Sequence, residues 1–296
     1  MKSMTGYYRF ADLTFRITGD EARMFRDEGV LAPFRVEGPA YDHSLRYEVV
    51  DSLPLPEGQC IYRGPRIQVF RQEGGQLICR GDTALLPGAA HTHILRRGNE
   101  TLVQVLEREV PGGIRPRLVL NTLEAEHHIV HRGGFLLHAS FIRWNDRAIL
   151  FTAPSGTGKS TQAALWEKHR GARIINGDRA AVTVEKGRVM AHGIPYCGTS
   201  GICGREKLPV AAIVYLSQGT ENRIEPLTGL RAFRRLWEGC SVQLWDQEDV
   251  DRCSGTVMEA LKSVKLVHLA CTPDEEAVQV LEAYLKEETA YGRKKQ

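Results

Sequence analysis

Short apolar runs, each closed by turn-forming residues, set the pattern of the first hundred positions. Residues 7–17, 45–50, 66–70, 77–80 and 101–106 carry β-branched or aromatic side chains and predict strands. Between them stand Pro54, Pro56 and Gly58, then Gly74-Gly75, then Gly98-Asn99. The polar interruption at 19–29 predicts one short helix capped by Asp20.

Pro111-Gly112-Gly113 breaks the chain, and the spacing changes after it. Residues 117–131 predict a helix with Leu118, Leu120 and Leu123 on its apolar side, stopped by Gly133-Gly134. Two strands follow at 135–144 and 148–152, joined by a hairpin at Asn145-Asp146. Residues 154–158 form a glycine-rich loop, and 159–169 the helix that it opens. A strand at 173–176, a hairpin of 181–185 with 188–192, and a buried strand at 208–216 come next. Residues 228–239 predict a helix with Leu230, Phe233, Leu236 and Trp237 on one side. Residues 264–271 read as a strand, and Thr272-Pro273-Asp274-Glu275 opens a last helix with a cap, a proline and an acid in place. Residues 291–296 read as a frayed basic tail. The division is a β-rich domain over 1–115 and an α/β domain over 116–296.

Composition narrows the function classes. Hydrophobic residues at 42% and charged residues at 25% fit an ordinary globular chain. The 39 basic residues against 36 acidic give a net charge of +3, without the basic stripe of a nucleic-acid partner. The longest apolar stretch, 208–216, is interrupted by Pro209 and falls short of the roughly 20 residues of a spanning helix, so no membrane is expected. Acids early in the chain and seven cysteines without a CxxC pair predict a cytoplasmic protein with reduced thiols.

The chemistry concentrates at Ala153-Pro154-Ser155-Gly156-Thr157-Gly158-Lys159-Ser160, which fits the phosphate-loop (Walker A) pattern with alanine at its first glycine. Small residues there let successive backbone N–H groups turn inward around phosphate oxygens, and the following helix points its positive end at the anion. Ser155, Gly156, Thr157, Gly158, Lys159, Ser160 and Thr161 are the candidate nucleotide-binding residues. Asp178, just past the short strand at 173–176, is placed to hold Mg²⁺ opposite Ser160. Its plainer alternative is a turn aspartate closing the strand end.

Other groups carry less. His127 and His131 stand one helical turn apart, a spacing that zinc sites use, but no third ligand is visible and the order is not HExxH; a solvated or packed helix end is the simpler reading. His91 and His93 read as surface residues. The Gly/Ser-rich segment 195–205 divides between an ordinary turn and a loop closing over substrate, with Arg205 or Lys207 facing its charge. Arg231, Arg234 and Arg235 read as the wet face of their helix.

Three segments together carry a resemblance: 134–140 with His138, 148–161 with the loop, and 173–179 with Asp178. They resemble the catalytic domain of HPr kinase/phosphorylase, and more closely the HPr-kinase-like proteins of bacterial peptide-modification clusters. That fold is related to phosphoenolpyruvate carboxykinase. The resemblance spans about residues 130–220. It implies an α/β P-loop kinase domain behind the β-rich domain, and an ATP- and Mg²⁺-dependent kinase moving the γ-phosphate to a serine or threonine hydroxyl of a peptide or small protein. Lys159, Asp178 and His138 would be catalytic, with Asp178 or His138 as the base and Ser160 and Asp178 on the metal. The β-rich domain lies outside the resemblance, and presenting the acceptor is the role open to it. The alternatives are a nucleotide-binding regulatory or scaffold module, or a small-metabolite kinase. A homo-oligomer is implied by the family's habit of assembly. Two positions depart from the family: Gly177 stands where the first of two acids would be, and Thr161 replaces a glutamate.

Overall fold

The segments with turn residues between them assemble edge to edge. In the computed structural model, which describes residues 2–38, 40–81 and 90–293, the chain divides into two compact units, Met1–Glu124 and Ala125–Gln296. The first unit contains β1 (Ser3–Phe10), β2 (Leu13–Asp20), β3 (Arg35–Val36), β4 (His43–Val50) and β5 (Cys60–Arg63). It continues with β6 (Ile67–Gln72), β7 (Gly75–Arg80), β8 (Thr92–Arg97) and β9 (Glu100–Leu106). Among the described residues these form one sheet in the order β3-β1-β2-β4-β9-β8-β7-β6-β5. The β2–β4 and β4–β9 pairs are parallel and the others antiparallel. Leu13, Phe15 and Ile17 alternate inward along β2, and Phe15 stacks on Phe10 with ring centroids 4.8 Å apart.

Two expectations fail in this unit. Residues 19–29 make a single turn at Asp20, whose carbonyl accepts from the Arg23 and Met24 amides, and the helical segment comes later, as a 3₁₀ turn at Gly29–Phe34. His93 is buried, not on the surface.

The helix predicted over 117–131 is two helices, α1 (Pro116–Thr122) and α2 (Ala125–His131). Glu124 between them has φ +55°, a conformation that a continuing helix cannot contain. Its buried carboxylate accepts from Arg80 at 3.0 Å and Arg96 at 3.3 Å. Those contacts tie Glu124 to the sheet, and the boundary between the units falls at this break.

The second unit holds β10 (Gly134–Trp144), β11 (Arg147–Thr152), α3 (Lys159–Arg170), β12 (Arg173–Asn176), β13 (Arg179–Glu185) and β14 (Arg188–Gly193). Then come β15 (Lys207–Gln218), β16 (Arg223–Leu227), α4 (Gly229–Trp237), β17 (Cys240–Ser241), α5 (Gln247–Ser263), β18 (Leu266–Cys271) and α6 (Glu275–Arg293). Its sheet runs β11-β10-β13-β14-β15-β18-β16, with β11 also pairing in parallel with β15. β10 is long enough to change partner: 134–138 pairs with β13, and 139–144 with β11. His138 is the last residue before that change. Apolar clusters flank the sheet, one gathering Phe135, Phe141, Leu236 and Val257, the other Phe151, Trp166, Val214 and Leu281.

Here too the pattern misleads in places. Leu230 is 81% exposed, and Ala232 and Leu236 are the buried residues of α4. α6 carries on to Arg293, through the start of the expected tail, while 294–296 lie outside the described residues. Among the described residues no helix is long and apolar enough to cross a membrane.

Candidate functional site

β11 carries the apolar run Ala148–Phe151 and ends at Thr152, and the residues after it do not extend the strand. Gly156 and Gly158 take φ +78° and +115°, so the backbone reverses twice before α3 begins at Lys159. A Cβ at either glycine would meet nothing within 4 Å, so the space over the loop is open. Ser155, Gly156, Ser160 and Thr161 are exposed, and Thr157 and Gly158 half-buried. Lys159 is buried and folds back across its own loop, its Nζ donating to the carbonyls of Ala153 at 2.9 Å and Pro154 at 3.2 Å. Burial pulls its ammonium pKa below the ordinary lysine value, and the negative charge of Asp178 opposes that shift.

Asp178 arrives by a different route. β12 ends at Asn176, whose fully buried side chain fixes the turn that follows. Its Oδ1 accepts from the amides of Asp178 at 3.0 Å and Arg179 at 3.1 Å, and its Nδ2 donates to the Ile194 carbonyl at 2.6 Å. The turn is pinned to β10 as well, since the Ala139 amide donates to the Asp178 carbonyl at 2.9 Å. His138 is held at both ends of its peptide unit: its amide donates to Gly239, and its carbonyl accepts from Thr152 Oγ1 at 3.0 Å.

This framework brings His138 Nε2 to 3.4 Å from Asp178 Oδ1, with Arg179 Nε 3.5 Å from the other carboxylate oxygen. Hydrogen bonding by His138 is the largest influence holding the Asp178 carboxyl below the usual carboxylate range. Partial burial works against it, and Arg179 and Lys159 add their positive charge. Each side chain of the pair is about one-third exposed, so both can reach a ligand.

The segment 195–205 closes one side of this arrangement. Its 3₁₀ turn, Gly198–Ser200, seats directly on the Gly177-Asp178 turn. A Cβ at Gly177 would lie 2.0 Å from Ser200 Oγ, and one at Gly198 would lie 2.8 Å from Asp178 Cβ. Lys207, expected to face a ligand, is paired with Glu185 at 2.8 Å. Asn176 and Arg179 were not legible as site residues, and Ser200 was so only as part of the segment 195–205. The one available signal was the polar Asn176 ending an apolar strand.

The family model described as "SynChlorMet cassette protein ScmC" matches residues 118–265, half of the 296-residue chain. The chain belongs to the ScmC family. The matched region contains every residue on which the resemblance to HPr kinase/phosphorylase rested, and it is assigned to ScmC, not to an HPr-kinase-like family. No curated protein matches the chain. Among solved structures, the HPr(Ser) kinase/phosphatase from Coxiella burnetii is similar at 11% identity, over 53% of this chain and 96% of that one, with a TM-score of 0.31. A likeness at that level carries no argument.

The ScmC assignment corrects several expectations. The fold class of an HPr-kinase or phosphoenolpyruvate-carboxykinase type is withdrawn, and with it the ATP-dependent serine/threonine kinase and its nucleotide-binding alternatives. ATP and Mg²⁺ are withdrawn as cofactors, which removes the metal-holding role given to Ser160 and Asp178. The geometry supplies one physical reason within the turn itself. The paired acids of the kinase pattern need a side chain at 177, and Ser200 fills that space.

Proposed function

We propose that this ScmC-family chain is an anion-recognition protein of its cassette. The ligand carries an oxyanion, phosphate or carboxylate, at one end and a hydroxyl or amine donor at the other. The oxyanion sits over 153–160 against the loop amides, the first turn of α3 and the Lys159 ammonium. The donor end meets the ionised Asp178 carboxylate, oriented by His138 and Arg179. The partner presenting this ligand is a peptide or small protein of the same cassette.

The observation that supports the reading most is the pairing of an open loop with a poorly solvated cation. Gly156 and Gly158 leave free space over the backbone, and among the described residues the ammonium beneath donates its hydrogen bonds to neutral carbonyls, at 2.9 and 3.2 Å. An oxyanion there would gain charge-assisted hydrogen bonds at a helix N-terminus, the strongest class of such contacts.

Calorimetric titration with inorganic phosphate, pyrophosphate and a phosphoserine peptide, all in EDTA, tests this. The wild-type chain is expected to bind at least one of them, and Lys159→Ala to weaken it about tenfold or more, the worth of one charge-assisted bond. Binding unchanged in Lys159→Ala, or no binding of any of these anions, overturns the assignment.

A further inference from the structure

The fold supplies a third partner for the two histidines that stand one turn apart on α2. Asp249 lies in the first turn of α5, 122 positions along the chain from His127, and its side chain is fully buried. His127 Nδ1 lies 2.9 and 3.0 Å from its two carboxylate oxygens, and His131 Nε2 lies 3.0 Å from Oδ1. The two imidazole centroids are 4.4 Å apart, and the three ligand atoms all fall within 4.8 Å of one another. None of these residues belongs to the anion site.

We propose that His127, His131 and Asp249 form a binding site for a divalent transition cation of the zinc type, with three protein ligands and a fourth position open to solvent. Two imidazoles and one carboxylate are a zinc donor set, and the i, i+4 spacing puts both rings on one face of the helix. In a tetrahedral site with bonds of about 2.0–2.1 Å, ligand atoms stand about 3.3 Å apart, so the two nitrogen–oxygen separations, 2.9 and 3.0 Å to Oδ1, need to open by only a few tenths of an ångström. The side chains of His127 and His131 are 14% and 32% exposed, which gives the ion a way in and leaves its outer position wet.

Charge favours the same reading. The Asp249 carboxylate is fully buried with both imidazoles against it, so it is a strong negative pole for a cation held between the rings. A cation supplies positive charge to that carboxylate, and each ring coordinates as the neutral tautomer, through its unprotonated nitrogen and with its one proton on the other. Bound there, the ion clamps α2 to the head of α5.

The test uses the full chain, stripped with EDTA, dialysed, and titrated with Zn²⁺ and with Co²⁺. One equivalent of Zn²⁺ is expected to bind. At zinc about a hundredfold above Kd, Tm should rise by about 5 °C or more. His131→Asn, at the most exposed of the three positions, should lower the Tm in EDTA slightly by removing one hydrogen bond to Asp249, abolish the zinc-dependent rise, and weaken Zn²⁺ binding more than about a hundredfold, beyond the loss seen for outer-shell changes. His127→Asn should do the same to binding. The Co²⁺ spectrum should show tetrahedral visible bands without thiolate charge transfer. No zinc-dependent rise in Tm, equal affinity in His131→Asn, or a thiolate band pointing to the cysteines instead would each overturn the proposal.

Discussion

Ser200 occupies the space that a side chain at Gly177 would need, its Oγ 2.0 Å from where a Cβ at that position would stand. The Ser200 hydroxyl is itself committed, donating to the Cys197 carbonyl at 2.7 Å and accepting from the Ile202 amide at 3.2 Å. The Gly177-Asp178 turn and the Gly198–Ser200 turn therefore fit as a pair, and Asp178 keeps its position because nothing larger than glycine precedes it.

Gly177→Ala is accordingly expected to destabilise the second unit by about 1–3 kcal/mol, the usual cost of overpacking. Gly177 does not take a positive φ, so the effect is steric. The double variant Gly177→Ala with Ser200→Gly should recover most of the loss. Denaturant midpoints of the two variants, read by tryptophan fluorescence, check this; a double variant no more stable than Gly177→Ala would mean that Ser200 is not the obstacle.

Asp178 has a pKa below the usual carboxylate range chiefly because His138 hydrogen-bonds to it. A carboxyl depressed on folding stabilises the native state at pH values above its unfolded pKa. That contribution drains away as pH falls through the lower, folded value. His138→Asn should move the Asp178 pKa upward toward the ordinary value, and so shift this acid-side loss to higher pH. A carboxyl-carbon NMR titration of Asp178 in both proteins measures the shift directly, and an unmoved titration would detach His138 from the carboxylate.

How much of this was readable depended on how local each cause was. The Asn145-Asp146 hairpin and the loop opening α3 are set by neighbouring residues: both hairpin positions take positive φ, at +49° and +57°, and a glycine-rich turn leads into a helix. The break at Glu124 was not readable, because its causes are Arg80 and Arg96 on distant strands. Asp249 was invisible as a partner of His127 for the same reason. α5 was not read from the sequence, although its buried positions, Asp249, Cys253, Val257 and Ala260, recur at helical spacing; one of the four is a charged residue whose burial depends on the distant His127 and His131. The resemblance to a kinase family rested on short motifs, and short motifs fix a local backbone shape more securely than a reaction.

Glu124 provides a separate test in the first unit. With its side chain 1% exposed and Arg96 beside it at 6%, Glu124→Ala leaves a buried guanidinium without its carboxylate, at a cost of about 3–5 kcal/mol. Glu124→Gly loses the same pairing but relieves the positive φ, so it should be less destabilising by about 1 kcal/mol. Hydrogen exchange in β7 and β8, where Arg80 and Arg96 lie, reads both effects. Equal protection in the two variants would show that the backbone at 124 carries no strain.

Asn176 is the residue on which the geometry of the candidate site turns, although it faces no ligand. Its amide closes three hydrogen bonds in a fully buried position, and two of them hold the Asp178 and Arg179 backbone. Asn176→Ala should cost about 2–4 kcal/mol, since buried partners are left unsatisfied. Asn176→Asp keeps the acceptor for both amides but turns a carboxylate oxygen toward the Ile194 carbonyl, so it should destabilise as well. If the turn positions Asp178 for a ligand, Asn176→Ala should weaken binding of a donor-bearing ligand such as phosphoserine more than that of inorganic phosphate, which needs only the loop. Equal losses for the two anions would place the contribution of Asn176 in stability alone.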